Sequence, residues 1–202
     1  MPNIISARFT ALDFESAGTA PGATDEPIQM AWGGMEGVEI DQTTFFSTYL
    51  STERSITWAA QKVHGITRED LKGAPSLIDL WPRVRGAMQG RIMVAHGAGT
   101  ERRFLHAFPF HGFGPWVDTL AVARAVYPNM PDYSLESLLE NLRLVAELDS
   151  LCGELRWHHA LYDAVGCLVF LRHLLHHSEI AEAPLAWLLH PDSSPYYKNR
   201  QF

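Results

Sequence analysis

Cysteine is nearly absent from this 202-residue chain. Cys152 and Cys167 have no metal-binding spacing, which excludes a disulfide-stapled scaffold and a cysteine-ligated metal centre. Two thiols kept reduced and buried fit a cytoplasmic setting. No run of about 18 apolar residues occurs, so a membrane-spanning helix is not expected. The first residues lack a basic stretch followed by an apolar one, so the expectation is a chain without a signal peptide. Basic charge is also scarce. Sixteen Lys and Arg stand against 23 Asp and Glu, for a formal charge of −7. Such a surface repels phosphate and excludes long, non-specific tracking along nucleic acid. Any such contact must be local, and part of the acidic excess suits a carboxylate site neutralised by a divalent cation. Internal repeats and low-complexity segments are missing too.

Apolar residues make up 47% of the chain, enough for a full core. The length suits one α/β domain. Residues 1–178 are expected to form it, with 179–202 as an extension packed on it or trailing from it. Arg8 to Ser16 reads as a strand. Pro27 to Trp32 and Val38 to Tyr49 read as two more, turning near Gly33-Gly34 and Gly37, so the start is an antiparallel meander. Helices are expected over Ser55 to Val63, from a Thr67 cap, and over Ser76 to Met88, where Pro82 kinks the helix or shifts its start. Arg91 to Ala95 reads as a buried strand and Thr100 to Ala107 as a helix. Val117 to Thr119 ends a strand and opens a helix reaching Tyr127. Ser134 caps another helix. Val145 to Arg156 carries no clear pattern. Ala160 to His176 is the strongest helix, and Ala183 to Leu189 adds a short one. Strands followed by alternating strands and helices predict a mixed sheet flanked by helices.

Four carboxylates and one imidazole carry the chemistry. Asp13 and Glu15, at i and i+2, point to the same side of their strand. Alone, the pair is as consistent with a wet strand end. Glu101 lies in the first turn of its helix, where it can simply offset the helix dipole. Asp163 falls early in the strongest helix, after His158; buried there, it needs a partner. Oxygen donors of this kind suit Mg²⁺ or Mn²⁺. Two such ions plus an imidazole make a complete set for phosphodiester hydrolysis.

At these residues the chain resembles the DEDDh family of 3′–5′ exonucleases. Asp13-Phe14-Glu15 matches the first motif, His96 to Leu105 the second, and His158 to Ala164 the third. Val63-His64-Gly65-Ile66-Thr67, Ala74-Pro75, Val117 to Leu120 and Ser134 to Leu138 match the segments between them. The resemblance implies a ribonuclease H-like fold and removal of 5′-mononucleotides from single-stranded or frayed 3′ ends. It implies two divalent cations, Mg²⁺ or Mn²⁺, on Asp13, Glu15, Glu101 and Asp163, with His158 as general base. It also implies contacts from Phe14, Ser16 and His64 to the terminal nucleotide. The expected substrate is a nucleic acid 3′ end, DNA ahead of RNA, with a polymerase or repair protein as partner. Asp118 is expected to be architectural.

The second motif departs from the family: Glu101 replaces Asp, and Gly97 and Thr100 stand where Asn and Phe are usual. The competing expectation is therefore a weak or inactive relative that binds nucleic acid or a partner protein. Other clusters carry less. His173 with His176 is the spacing of a weak metal pair, Arg102 and Arg103 could grip phosphate, and Trp157 could stack a base. Tyr196, Tyr197, Lys198 and Arg200 form a polar tail.

Overall fold

Alternation along Arg8–Ser16 produces strand β1, and its two faces serve two different cores. Phe9 and Ala11 enter the larger core, whereas Leu12 and Phe14 enter a smaller one. β1 is the middle strand of the five-stranded sheet seen in this computed structural model, which describes residues 4–19, 24–176, 180 and 182–191. Strands β2 (Pro27–Glu36) and β3 (Glu39–Tyr49) extend it on one side as an antiparallel meander. Strands β4 (Ile92–Ala95) and β5 (Trp116–Asp118) extend it on the other side in parallel, giving the order β3-β2-β1-β4-β5.

The expected turn at Gly33-Gly34 lies instead inside β2, and the chain reverses at Gly37. The glycines are there for close approach. The Gly34 N–H donates to Thr44 Oγ1 at 2.7 Å, and a Cβ on Gly34 would come within 2.8 Å of that oxygen. The β2–β3 register shifts at this point, as a bulge requires.

Helix α1 (Trp58–His64) begins at a Thr57 cap and ends on left-handed Gly65. No helix follows Thr67. Asp70 accepts from both the Thr67 N–H and its hydroxyl, closing an isolated turn before Gly73 and Pro75. The expected helix from Ser76 is a 3₁₀ turn over Ile78–Leu80, followed by α2 (Trp81–Met88). Pro82 sits in the first turn of α2, where its missing N–H costs nothing. Then come α3 (Gly99–Leu105), α4 (Thr119–Val126), α5 (Leu135–Asn141) and α6 (Val145–Cys152). The last occupies the stretch that showed no clear pattern. Tertiary contacts supply what periodicity lacks: the Tyr162 hydroxyl donates to Asp149 at 2.8 Å, and Arg172 pairs with Glu147.

Helix α7 (Ala160–Leu175) crosses the sheet and buries most of its circumference, from Tyr162 through Leu175. A helix that is apolar on nearly all sides belongs inside a fold. Gly166 lets α5 approach: a Cβ there would lie 3.2 Å from Leu135 Cδ2. Ile180, Ala183, Leu185 and Leu188, around the short helix Ala186–Leu189, join the larger core. The tail residues Tyr196, Tyr197, Lys198 and Arg200 lie outside the described residues.

Candidate active site

β1 pairs with β4 only through Phe9, Thr10 and Ala11, and then runs on past it. Asp13 and Glu15 therefore sit beyond the carboxyl end of the neighbouring parallel strand, the usual place for a site in an open α/β sheet. They project on the α7 side. Burial pushes the Asp13 carboxyl well above the usual range, and the charges of Asp163, Glu101 and Glu15 push it further. Burial and Asp163 bring Glu15 to about 8.

Glu101 arrives from α3, and the turn ahead of α3 is tied down from two sides. Asp118, at the end of β5, accepts from the Gly97 and Ala98 N–H groups at 2.9 and 3.2 Å while capping α4 through Leu120 and Ala121. His96 Nε2 donates to the Tyr133 carbonyl at 2.7 Å. Glu101 ends 5% exposed, with burial raising its carboxyl to about 7.

The third approach is the start of α7. Asp163 is half-buried with its Oδ1 fully enclosed, and its carboxyl rises to about 7 mainly through that loss of solvent. Its Oδ2 accepts from the His158 N–H at 3.1 Å. His158 itself is exposed and holds a left-handed backbone, φ 64°. Gln29, paired with Glu15 across β1 and β2, buttresses this loop. Its Oε1 accepts from the Ala160 N–H at 3.0 Å, and its amide nitrogen lies 3.1 Å from His159 Nε2. Gln29 was not among the residues expected at the site. A lone glutamine inside an apolar strand was the available signal.

Three chain segments thus gather all four carboxylates and His158. One ligand atom each from Glu15, His158 and Asp163 lie within 4.8 Å of one another. Glu101 Oε2 and Asp163 Oδ1 are buried and meet no hydrogen-bond donor among the described residues. Orphaned buried oxygens amid carboxylates that resist ionising are what a cation would relieve. The donor set is oxygen-rich and fits a hard divalent ion.

The expected nucleotide contacts fare differently. Phe14 is buried on the opposite face of β1 from Asp13 and Glu15, edge-on to Phe104 at 5.3 Å. What it offers is a packed wall. The Ser16 carbonyl accepts from His64 Nε2 at 3.2 Å, and His64 Nδ1 accepts from the Ile66 N–H at 3.0 Å. Both ring nitrogens of His64 are therefore engaged, and its ring edge is what remains. Arg103 pairs with Asp25 at 3.6 Å, and Arg102 lies 5.9 Å from the centre of the Trp116 ring. Trp157 packs edge-on against Tyr162, and His173 lies 3.1 Å from the Tyr127 hydroxyl.

Comparison with known proteins points the same way. A PolC-type DNA polymerase III of Thermotoga petrophila is 34% identical over 174 residues, covering 83% of this chain but 12% of the relative. The DNA polymerase III subunit epsilon of Aquifex aeolicus is 28% identical over 144 residues, 69% of this chain and 70% of that one. Exonuclease X, solved in complex with 5′ overhanging duplex DNA, superposes with a TM-score of 0.69 at 24% identity, covering 85% of this chain and 93% of its own. The nuclease domain of 3′hExo, a DEDDh family member bound to rAMP, gives 0.65 at 16%, over 87% and 94%. The fold is therefore the ribonuclease H-like fold of these exonucleases. With the exonuclease (RNase T) family profile matched over residues 10–168, the chain belongs to the exonuclease family.

Proposed function

We propose that this chain is a metal-dependent 3′–5′ exonuclease that releases 5′-mononucleotides from single-stranded or frayed 3′ ends, with DNA favoured over RNA. The observation that carries this reading is the pair of orphaned, buried oxygens on Glu101 and Asp163, facing the carboxylates of β1. Asp13, Glu15, Glu101 and Asp163 would hold two divalent ions, Mg²⁺ or Mn²⁺. Bound there, such ions would neutralise phosphate charge and acidify a water. His158 would take the proton from the attacking water as the water's oxygen bonds to the phosphorus of the terminal phosphodiester. The bond from that phosphorus to the 3′ oxygen of the preceding nucleotide breaks, and that oxygen leaves with the bonding pair and takes up a proton from solvent. Being exposed, the imidazole then passes the proton to solvent. The core walls behind Asp13 keep bulk water off the far side of the site.

A labelled single strand incubated with the protein and either ion tests this. A ladder that shortens from the 3′ end, and is lost in Asp13→Asn, is the expected result. The weak or inactive alternative rests on Glu101, which is one methylene longer than the family's Asp. No ladder with either ion from the wild type, together with one from Glu101→Asp, would favour that alternative. The polymerase names of the relatives make a polymerase the partner to try first. Among the described residues no helix is long and apolar enough to cross a membrane. A cytoplasmic setting remains our proposal, as does 179–202 as an extension of a domain over 1–178.

A further inference from the structure

Helix α1 buries none of its seven side chains. Trp58 is 75% exposed and Val63 54%. The other five tryptophans are buried or half-buried, as tryptophan usually is. Lys62, one of three lysines in the chain, places its Nζ 5.2 Å from the centre of the Trp58 ring. No acidic residue lies on α1, although the chain as a whole is strongly acidic.

This helix is anchored beside the carboxylates. The Thr57 N–H donates to the Ala17 carbonyl at 2.8 Å, and His64 holds the Ser16 carbonyl, one residue past Glu15. The approach leaves no room for a side chain at Gly18, where a Cβ would fall 2.3 Å from Thr57 Oγ1. From His64 back to Trp58 is about 9 Å along the helix axis. That spans roughly two to three nucleotides at about 3.4 Å of rise per strand.

We propose that Trp58 and Lys62 form a platform for the single strand a few nucleotides upstream of the scissile bond. A base stacks on the open indole face, and Lys62 meets a neighbouring phosphate. The proposal deepens the exonuclease reading and rests on it. Base stacking on aromatic side chains, with cations to meet the backbone, is how single strands are held without sequence preference. Continuity with the site, together with local positive charge on an acidic protein, selects the strand as the occupant over an apolar protein segment.

The test compares kcat/KM for an eight-nucleotide strand and a dinucleotide, using the full chain and its Trp58→Ala, Trp58→Phe and Lys62→Ala variants. Trp58→Ala is expected to cut the octamer-over-dinucleotide preference about 5- to 150-fold, the range for one lost base–aromatic stack. Trp58→Phe should retain most of it, and Lys62→Ala should lower it while weakening the salt dependence. An unchanged preference, or an equal loss on both substrates, overturns the proposal, and the indole is then plain surface or a protein contact. If the wild type degrades neither substrate, the exonuclease reading fails and fluorescence decides. Quenching of tryptophan emission by the octamer, absent in Trp58→Phe, upholds the platform. No difference between the two proteins overturns it.

Discussion

His158 holds φ 64°, a conformation few residues other than glycine adopt without strain. Its N–H thereby reaches Asp163 while its ring stays at the site mouth. His158→Gly is expected to raise stability by about 1 kcal/mol by relieving the backbone. The same change should lower kcat about 10²- to 10⁴-fold, the usual contribution of a general base. A chemical-denaturation curve and a rate measurement check both halves, and an unchanged rate would remove His158 from the mechanism. The carboxylates make a second prediction. Burial above all, helped by the charge of Asp163 on Glu15, of Asp118 on Glu101 and of Glu136 on Asp163, raises the carboxyls of Glu15, Glu101 and Asp163 to about 8, 7 and 7. Groups that bind protons more tightly when folded stabilise the fold fully below their unfolded pKa of about 4, and that stability is lost as pH rises through the folded values. Without metal, the melting temperature should fall between pH 5 and 8.5. Added Mn²⁺ should restore more at pH 8.5 than at pH 5, because it binds the ionised form. Glu101→Gln should flatten the metal-free profile and abolish the rate. Equal gains from Mn²⁺ at both pH values would contradict the cation site.

At the scale of elements, the site depends on how three helix starts are held. Asp118 accepts four backbone N–H groups from two segments, and so ties the turn carrying Glu101 to the cap of α4. Asp118→Ala should lower stability by about 1–2 kcal/mol through the lost cap. It should also slow the reaction by up to about 100-fold, since a displacement near 1 Å is enough for that. Single-turnover rates set beside thermal melts would separate the two, and full activity in a destabilised variant would show that Glu101 is placed without it. Gln29 does for α7 what Asp118 does for α3, from the strand next to β1.

Across the whole molecule, the charge of −7 restricts where phosphate can touch. Lys62, Arg102 and Arg103 are exposed cations, the first on α1 beside the carboxylates and the other two on α3 next to Glu101. About three phosphate contacts on a single strand give a log–log salt slope near 2 for KM. A slope above about 5 would mean that the strand tracks over far more of the surface than this charge pattern allows.

The chain order by itself determined a good deal: β1 over its full span, the long apolar helix α7, and the three segments bearing Asp13 with Glu15, Glu101, and His158 with Asp163. Alternation, apolar density and motif spacing are local properties, so one strand or one helix start suffices to display them. Tertiary structure alone decided the rest. Gly33-Gly34 stays in a strand because Phe45 and Thr44 pack into the space left by the missing side chains. α6 forms because Tyr162 and Arg172 hold it, and Phe14 is turned into the core opposite the site. The absence of burial along α1 is likewise invisible in its sequence, since an exposed tryptophan and a core tryptophan are the same letter. Each depends on what lies opposite, and only the folded chain puts it there.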